Sequence, residues 1–225
     1  MTSKERVMTT FRHQESDRVP MGEMHIMSHA SSQILGRETI TGEGGMYMKI
    51  AKLVSEGRRD EFVERIANDT LEVVRKIGHD LIETEMDPAK ESTYEITEIS
   101  DHGWTEVDKD TGHWRKFIYE KENEEILEVD SFEKQGGLKA ITEHIEALEK
   151  SRFRIDGSCF DSTREVCRKA KDELFCMGKI PNHIPSGRSW YTDFMELALM
   201  EPELTKRLLD RSEERRVGQE GRSRW

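Results

Sequence analysis

Thr2–Glu23, with the sequence TSKERVMTTFRHQESDRVPMGE, is the stretch from which we predict the fold of this 225-residue chain. Thr2 and Glu5 have the spacing of a capping box, in which each side chain accepts a hydrogen bond from a free backbone N–H group at the start of a helix. A short N-terminal helix is therefore predicted. Because the residue before a proline is pushed into the extended region, Arg18–Gly22 is predicted to form the first strand.

Apolar residues beyond this stretch recur at the spacings of helices and strands. A helix is predicted from Ser28 to a glycine stop at Gly36, and two more follow before the next strand. Strands are predicted at Asp80–Thr84 and Leu174–Ile180. Ser162 and Glu165 have the spacing of a second capping box between them. The order of strand, helices and strand favours a parallel sheet with crossover helices.

Residues 92–130 have a different character, because aromatic and β-branched residues there are interleaved with charges. Turn signals lie at Asp108–Gly112 and at Glu122–Glu124. We therefore predict a β-hairpin insertion over residues 92–130. The region from His79 to Asp130 holds 17 acidic and 5 basic residues, which accounts for the net charge of −11 of the whole chain. Nucleic acid is excluded as an expected partner, since binding to phosphates needs a basic surface.

The composition of the chain indicates in which cellular compartment it is expected. No apolar run reaches the length of a membrane span, and the N-terminus lacks the basic-then-apolar pattern of a signal peptide. Cys159, Cys167 and Cys176 form no CxxC motif, so neither a disulfide framework nor a zinc ribbon is indicated. We expect no membrane partner, a cytoplasmic location, and cysteines that serve as buried apolar residues.

The last residues, Arg211–Trp225, do not follow the apolar pattern of the rest. They contain five arginines and three glutamates, and Val217 is their only aliphatic residue. The run SEERRVGQEGRSRW resembles translated adapter sequence at the end of an assembled read. We predict that 211–225 is a non-native tail; the alternative is an ordinary charged terminus.

Several segments, in their order and spacing, carry a resemblance to the uroporphyrinogen decarboxylase-like superfamily. They are the N-terminal helix with ESDRVP, GRRDEF at 57–62, IGHDLIE at 77–83, HGW at 102–104, and FCMGKIP with FMELALMEPELTKRLLD between 175 and 210. The resemblance implies a (β/α)8 barrel longer than this chain. We therefore expect residues 1–210 to be the N-terminal part of such a barrel, an α/β fold that is an incomplete (β/α)8 TIM barrel with a β-hairpin insertion.

This superfamily includes uroporphyrinogen decarboxylases and corrinoid-dependent methyltransferases. Resemblance to the decarboxylases would imply a pair of arginines just after the first strand, within a run like R-Q-A-G-R-Y. Arginine is suited to bind the carboxylates of their substrate. Here that position reads GEMHIMSH, without arginine between Val19 and Gly36. The resemblance therefore favours the methyltransferase branch, with a corrinoid protein or a small-molecule methyl acceptor as partner.

Two alternatives remain open at this point. One is a uroporphyrinogen III decarboxylase of porphyrin biosynthesis, and the other is an inert or binding-only fragment. The parent family is enzymatic, but the sequence does not decide whether this chain acts alone. In the methyltransferase branch the resemblance implies zinc, held by an H-x-C motif and a later cysteine. This chain has no H-x-C, so we expect no cofactor in it, and zinc only through ligands of a full-length protein that are not present here.

Polar residues follow each predicted strand, at the end that carries the chemistry in a TIM barrel. Carboxylates and imidazoles there can act as general acids and bases. The alternative is that each is a solvated or hydrogen-bonded loop residue. The candidates are Glu23, His25 and Asp87 as catalytic groups, and Glu83, Glu85, Lys179, Asn182 and His183 for substrate binding.

Overall fold

A computed structural model describes residues 1–150, 156–179 and 185–210 of the chain. These residues form a mixed α/β structure with eight helices, one parallel sheet and one antiparallel sheet. They divide into two compact units, the first comprising 1–92, 119–126 and 156–179, and the second 93–118, 127–150 and 185–210. The tail predicted at 211–225 lies outside the described residues, as do Asn182 and His183.

The first unit is built mainly of helices around a short parallel sheet. The predicted capping box is confirmed: the Glu5 N–H donates to Thr2 Oγ1 over 3.2 Å, and the Thr2 N–H donates to Glu5 Oε2 over 2.8 Å. Gly36 ends the second helix in the left-handed conformation, also as predicted. The helices are α1 (Ser3–Phe11), α2 (Ser28–Leu35), α3 (Gly44–Ser55), α4 (Arg59–Ile77) and, after a 3-10 turn at Gly157–Phe160, α6 (Asp161–Ala170).

The parallel sheet pairs β1 (Leu81–Thr84) with β6 (Phe175–Gly178). Arg18–Gly22, predicted as a strand, forms none; this prediction is wrong. Its backbone lies beside β1, with the Asp80 N–H donating to the Met21 carbonyl over 2.7 Å. Pro20 has no N–H to donate, which weakens any ladder there. The described parallel sheet therefore has two strands instead of three.

The second capping-box prediction is also wrong. Phe160, not Ser162, precedes α6, and Ser162 lies buried inside its first turn. The Ser162 N–H donates to Asp87 Oδ2 over 2.7 Å. A carboxylate from the loop after β1 thus satisfies a free backbone donor of α6 in place of a local side chain.

Two apolar clusters hold the first unit together. One joins α4 to β1 and α6, and the other joins α3 to α4. Burial of this apolar area is the main favourable contribution to folding, at about 25 cal/mol per Å². The fully or nearly fully buried members include Ile40, Phe62, Ala67, Val73, Ile82 and Val166.

The second unit combines most of the antiparallel sheet with three helices; residues 119–126, at the turn between its last two strands, belong to the first unit. Residues 92–130, predicted as hairpins, contribute almost all of this sheet, whose strand order is β2-β3-β4-β5. The helices of the second unit pack around an apolar core that includes Ile141, Ile145, Trp190, Phe194 and Leu208. The elements are β2 (Tyr94–Ser100), β3 (Gly103–Asp108), β4 (Trp114–Glu120), β5 (Glu125–Ser131), α5 (Phe132–Lys150), α7 (Tyr191–Met200) and a helix at 202–210.

The expected mixed α/β class, with an antiparallel section, is confirmed. A closed barrel is absent from the described residues, whose parallel sheet has two strands. None of the described helices has the length and apolar character needed to cross a membrane.

Candidate active site

A small pocket of about 50 Å³ lies at the carboxyl end of β1, within the first unit, and is lined by residues of α3, α4, β1 and α6. Because β1 and β6 are parallel, the residues that follow each of them meet at one edge of the sheet. Residues 23–26 also line the pocket. They follow Met21, whose carbonyl accepts the hydrogen bond from Asp80 at the start of β1. Five of the candidate residues predicted from the sequence line it: Glu23, His25, Glu83, Glu85 and Asp87.

His25, Glu43, Glu85 and Lys179 form a charged cluster at this edge. The Lys179 ammonium donates a hydrogen bond to Glu85 Oε1 over 2.8 Å and lies 3.4 Å from His25 Nε2. His25 Nε2 is 3.2 Å from Glu43 Oε1 and 3.7 Å from Glu85 Oε1. The imidazole nitrogen thus has one ammonium and two carboxylates within proton-transfer reach, directly or through one water.

Lys179 is firmly protonated in this cluster. Burial alone would lower its pKa, but the hydrogen bond to Glu85 and the charges of Glu85, Glu43 and Glu83 outweigh burial, so the pKa lies above its ordinary value. A lysine in this state cannot act as a nucleophile or base near neutral pH. It can offset the negative charge of the carboxylates and hold an anionic atom.

Asp87 is buried and behaves differently. Its carboxylate accepts the Ser162 N–H, and its own backbone N–H donates to the Cys159 carbonyl over 2.9 Å. Burial raises the pKa of Asp87, although the Ser162 hydrogen bonds and the nearby Arg59 charge oppose the rise. Asp87 therefore fixes the loop after β1 onto α6 and also keeps a proton to higher pH than an exposed aspartate does.

Glu23 and Glu83 complete the acidic rim. Glu23 is exposed and Glu83 half-buried, and neither has an ion pair with any described residue. The floor beneath the rim is apolar and includes Ile50, Phe62, Ile66, Val73 and Ile82. An apolar floor excludes water and strengthens each electrostatic interaction above it.

Sequence reasoning missed Glu43. No candidate residue was predicted in the run GEGG at 42–45, yet Glu43 immediately precedes α3 and its carboxylate reaches His25. Gly42 makes this approach feasible: its φ is +70°, and a Cβ there would lie 2.6 Å from the Cα of Met27. A lone charged residue between glycines ahead of a helix was the available signal.

Three side chains of the charged cluster lie close enough together to hold a metal ion. Single donor atoms of His25, Glu43 and Glu85 lie within 4.8 Å of one another. Lys179 already provides a positive charge 2.8 Å from Glu85, where a bound cation would compete with it. This set is therefore an ion-pair cluster as it stands.

The sulfur-rich zinc site implied by the resemblance does not fit the described residues. None of the described cysteines belongs to a group with metal-ligand geometry. The expectation of three buried cysteines is wrong in part: Cys159 is buried, but Cys167 is exposed and Cys176 is half-buried. Burial and the neighbouring Cys167 raise the pKa of Cys176 to about 12.

Comparison with known proteins gave no relative: no protein-family model matches the chain, and neither does a curated protein or a solved structure.

Proposed function

We propose that this chain is part of a uroporphyrinogen decarboxylase-like enzyme of the corrinoid-dependent methyltransferase branch. In this proposal β1 and β6 are two strands of an incomplete (β/α)8 TIM barrel, and the pocket at the carboxyl end of β1 binds the methyl acceptor. The position of the pocket supports the proposal, because barrel enzymes carry their chemistry at that end of the strands. The three free cysteines suit a cytoplasmic location, where thiols stay reduced.

The observation that carries the choice of branch is the charge of the pocket rim. Carboxylates of Glu23, Glu83, Glu85 and Asp87 line the pocket and Glu43 lies beside it. Within the described part of the chain, Lys179 is the one ammonium group paired with these carboxylates. A uroporphyrinogen carries eight carboxylates and would be repelled by this rim. A neutral or cationic acceptor would not be, because like charges brought together in a partly buried site disfavour binding.

The residues present suit transfer to an acceptor that loses a proton. The methyl-corrinoid would supply the methyl group when bound, and it would keep the electron pair of its broken cobalt–carbon bond. His25 accepts the proton from the acceptor's heteroatom as the new bond to carbon forms. Glu43 and Glu85 stabilise the resulting imidazolium, while Lys179 limits the net negative charge around it.

An assay of two reactions on one preparation tests the proposal. The chain is expressed together with the coding sequence that follows residue 210 in its gene. It is then incubated with methylcobalamin plus a panel of neutral and cationic thiols and amines, and separately with uroporphyrinogen III. We expect demethylation of the corrinoid, followed by visible absorption, and no loss of carboxylates from uroporphyrinogen by chromatography. Decarboxylation, or the absence of both reactions, would refute the proposal.

A further inference from the structure

A second cluster of donor groups lies in the second unit and contains none of the residues predicted as functional. His113 immediately precedes β4, Glu133 lies in the first turn of α5, and His144 lies further along α5. Each offers one donor atom, and the three atoms lie within 4.8 Å of one another. Glu133 Oε1 is 3.0 Å from His144 Nδ1, and the Glu133 side chain is almost fully buried.

The spacing of Glu133 and His144 cannot produce this contact in a straight helix. Eleven residues at 1.5 Å per residue separate two positions by about 16 Å along the axis, beyond the reach of the two side chains. Gly137 lies between them with φ 56° and ψ −146°, outside the helical region. This conformation belongs almost entirely to glycine, and it turns the first residues of α5 back toward the rest of the helix.

Both imidazole rings are held in place by their surroundings. The His113 ring stacks on Phe132 with centroids 3.9 Å apart, and the His113 carbonyl accepts the Asp108 N–H over 2.8 Å. The His144 ring lies edge-on to the buried Trp190, at 6.0 Å between centroids. Rings fixed in this way lose little freedom when they bind a ligand, which favours binding.

The charge around this cluster differs from that of the first pocket. Among the described residues, Glu133 forms an ion pair with His144 and with no lysine or arginine. A metal ion entering here would not have to displace an ammonium group. It would replace the hydrogen bond between His144 and Glu133, and a proton would leave, as is usual when protein ligands take up a metal.

We propose that His113, Glu133 and His144 form a binding site for a late first-row divalent metal ion, with Zn²⁺ as the ion to test. Two imidazoles and one carboxylate are a donor set that Zn²⁺ takes in proteins, and three protein ligands leave one position for water. Ligands of a tetrahedral zinc ion are about 3.4 Å apart at bond lengths near 2.1 Å, so small side-chain shifts close the site. The proposal is independent of the methyltransferase assignment.

Zinc titration of the tag-free, chelator-treated chain tests this site. Calorimetry measures stoichiometry and affinity, and Co²⁺ used as a second probe reports tetrahedral coordination by visible absorption. We expect one ion per chain. Glu133→Gln, His113→Asn and His144→Asn should each weaken binding by at least about tenfold, as loss of a ligand or its support does.

Three further variants make the result specific. His102→Asn removes an exposed histidine of the same unit, and His25→Asn disrupts the cluster of the first pocket; neither should change affinity. Gly137→Ala keeps all three ligands but disfavours the bend, so it should weaken binding by at least about tenfold. Far-UV and near-UV circular dichroism identify variants that fold. No uptake by the parent chain, uptake that survives every folded ligand variant, or uptake lost in His25→Asn would overturn the proposal.

Discussion

The ammonium nitrogen of Lys179 lies 2.8 Å from Oε1 of Glu85, joining the residues that follow two adjacent parallel strands. The pairing of Leu81 with Phe175 sets this distance, because it brings the carboxyl ends of both strands to the same level. A shift of one strand by a single residue would turn its side chains to the opposite face of the sheet. The charged cluster therefore depends on the register of two strands that are far apart in the sequence.

Lys179→Met tests this pair through the pH dependence of stability. Lys179 has a pKa above its ordinary value of 10.5, so its contribution is fully present below about pH 10 and is lost as pH rises through the folded-state value. The stability difference between the parent and Lys179→Met, from urea unfolding, should stay constant from about pH 7 to 10 and shrink above that. Lys52→Met, at an exposed position of α3, is the control. A trend of the same size in that variant would show that the effect does not belong to the pair of Lys179 and Glu85.

Asp87→Asn tests the buried carboxyl through the pH dependence of stability, which should have the opposite sign to that for most carboxylate replacements. Because the pKa of Asp87 is raised, the parent loses stability relative to the variant as pH rises from below the ordinary value of 3.8 toward neutrality. Asp172→Asn provides the contrast: its hydrogen bond with Lys4 lowers the pKa of Asp172, so the parent gains relative stability over the same range. Equal slopes for the two variants would contradict the environment assigned to Asp87.

Asp80 is predicted to be a structural residue. Its side chain is 0% exposed, forms ion pairs with Arg6 and Arg18, and accepts the Met21 N–H over 2.9 Å. Asp80→Asn removes the charge and takes away the carboxylate partner of Arg18, while Arg6 keeps only its ion pair with Asp17. The change should cost about 3–5 kcal/mol of unfolding free energy. Glu61→Gln, which removes an exposed partner of Arg58, should cost no more than about 1 kcal/mol. A loss below about 1 kcal/mol for Asp80→Asn would show that the network is not required.

The sequence predicted those parts of the fold that depend on local signals. The capping box at Thr2 and Glu5, the glycine stop at Gly36 and the antiparallel turns are determined by residues a few positions apart. The first strand was predicted wrongly because extended backbone near Pro20 does not ensure a pairing partner. Strand pairing is decided by contacts that local propensity does not describe.

The candidate site residues likewise separate into those predicted from local sequence signals and those that were missed. Glu83, Glu85 and Asp87 were predicted at the pocket because they lie at and beyond the carboxyl end of β1. Glu23 and His25 line the same pocket although the segment before them forms no strand. Glu43 was missed because its contribution depends on the close packing of Gly42 against Met27. The contact between Glu133 and His144 was missed because it depends on one glycine conformation inside a helix. Both contacts depend on backbone geometry that the residue types alone do not specify.

The most direct measurement of the central claim compares His25→Asn with His29→Asn in the methyl-transfer assay. His25 lies in the charged cluster of the pocket, whereas His29 is exposed on α2. If His25 takes the acceptor's proton, His25→Asn should reduce kcat by about 10²-fold or more, as for loss of a general base, and His29→Asn should leave kcat unchanged. Equal activity of the two variants, or turnover of uroporphyrinogen by the parent, would contradict the account.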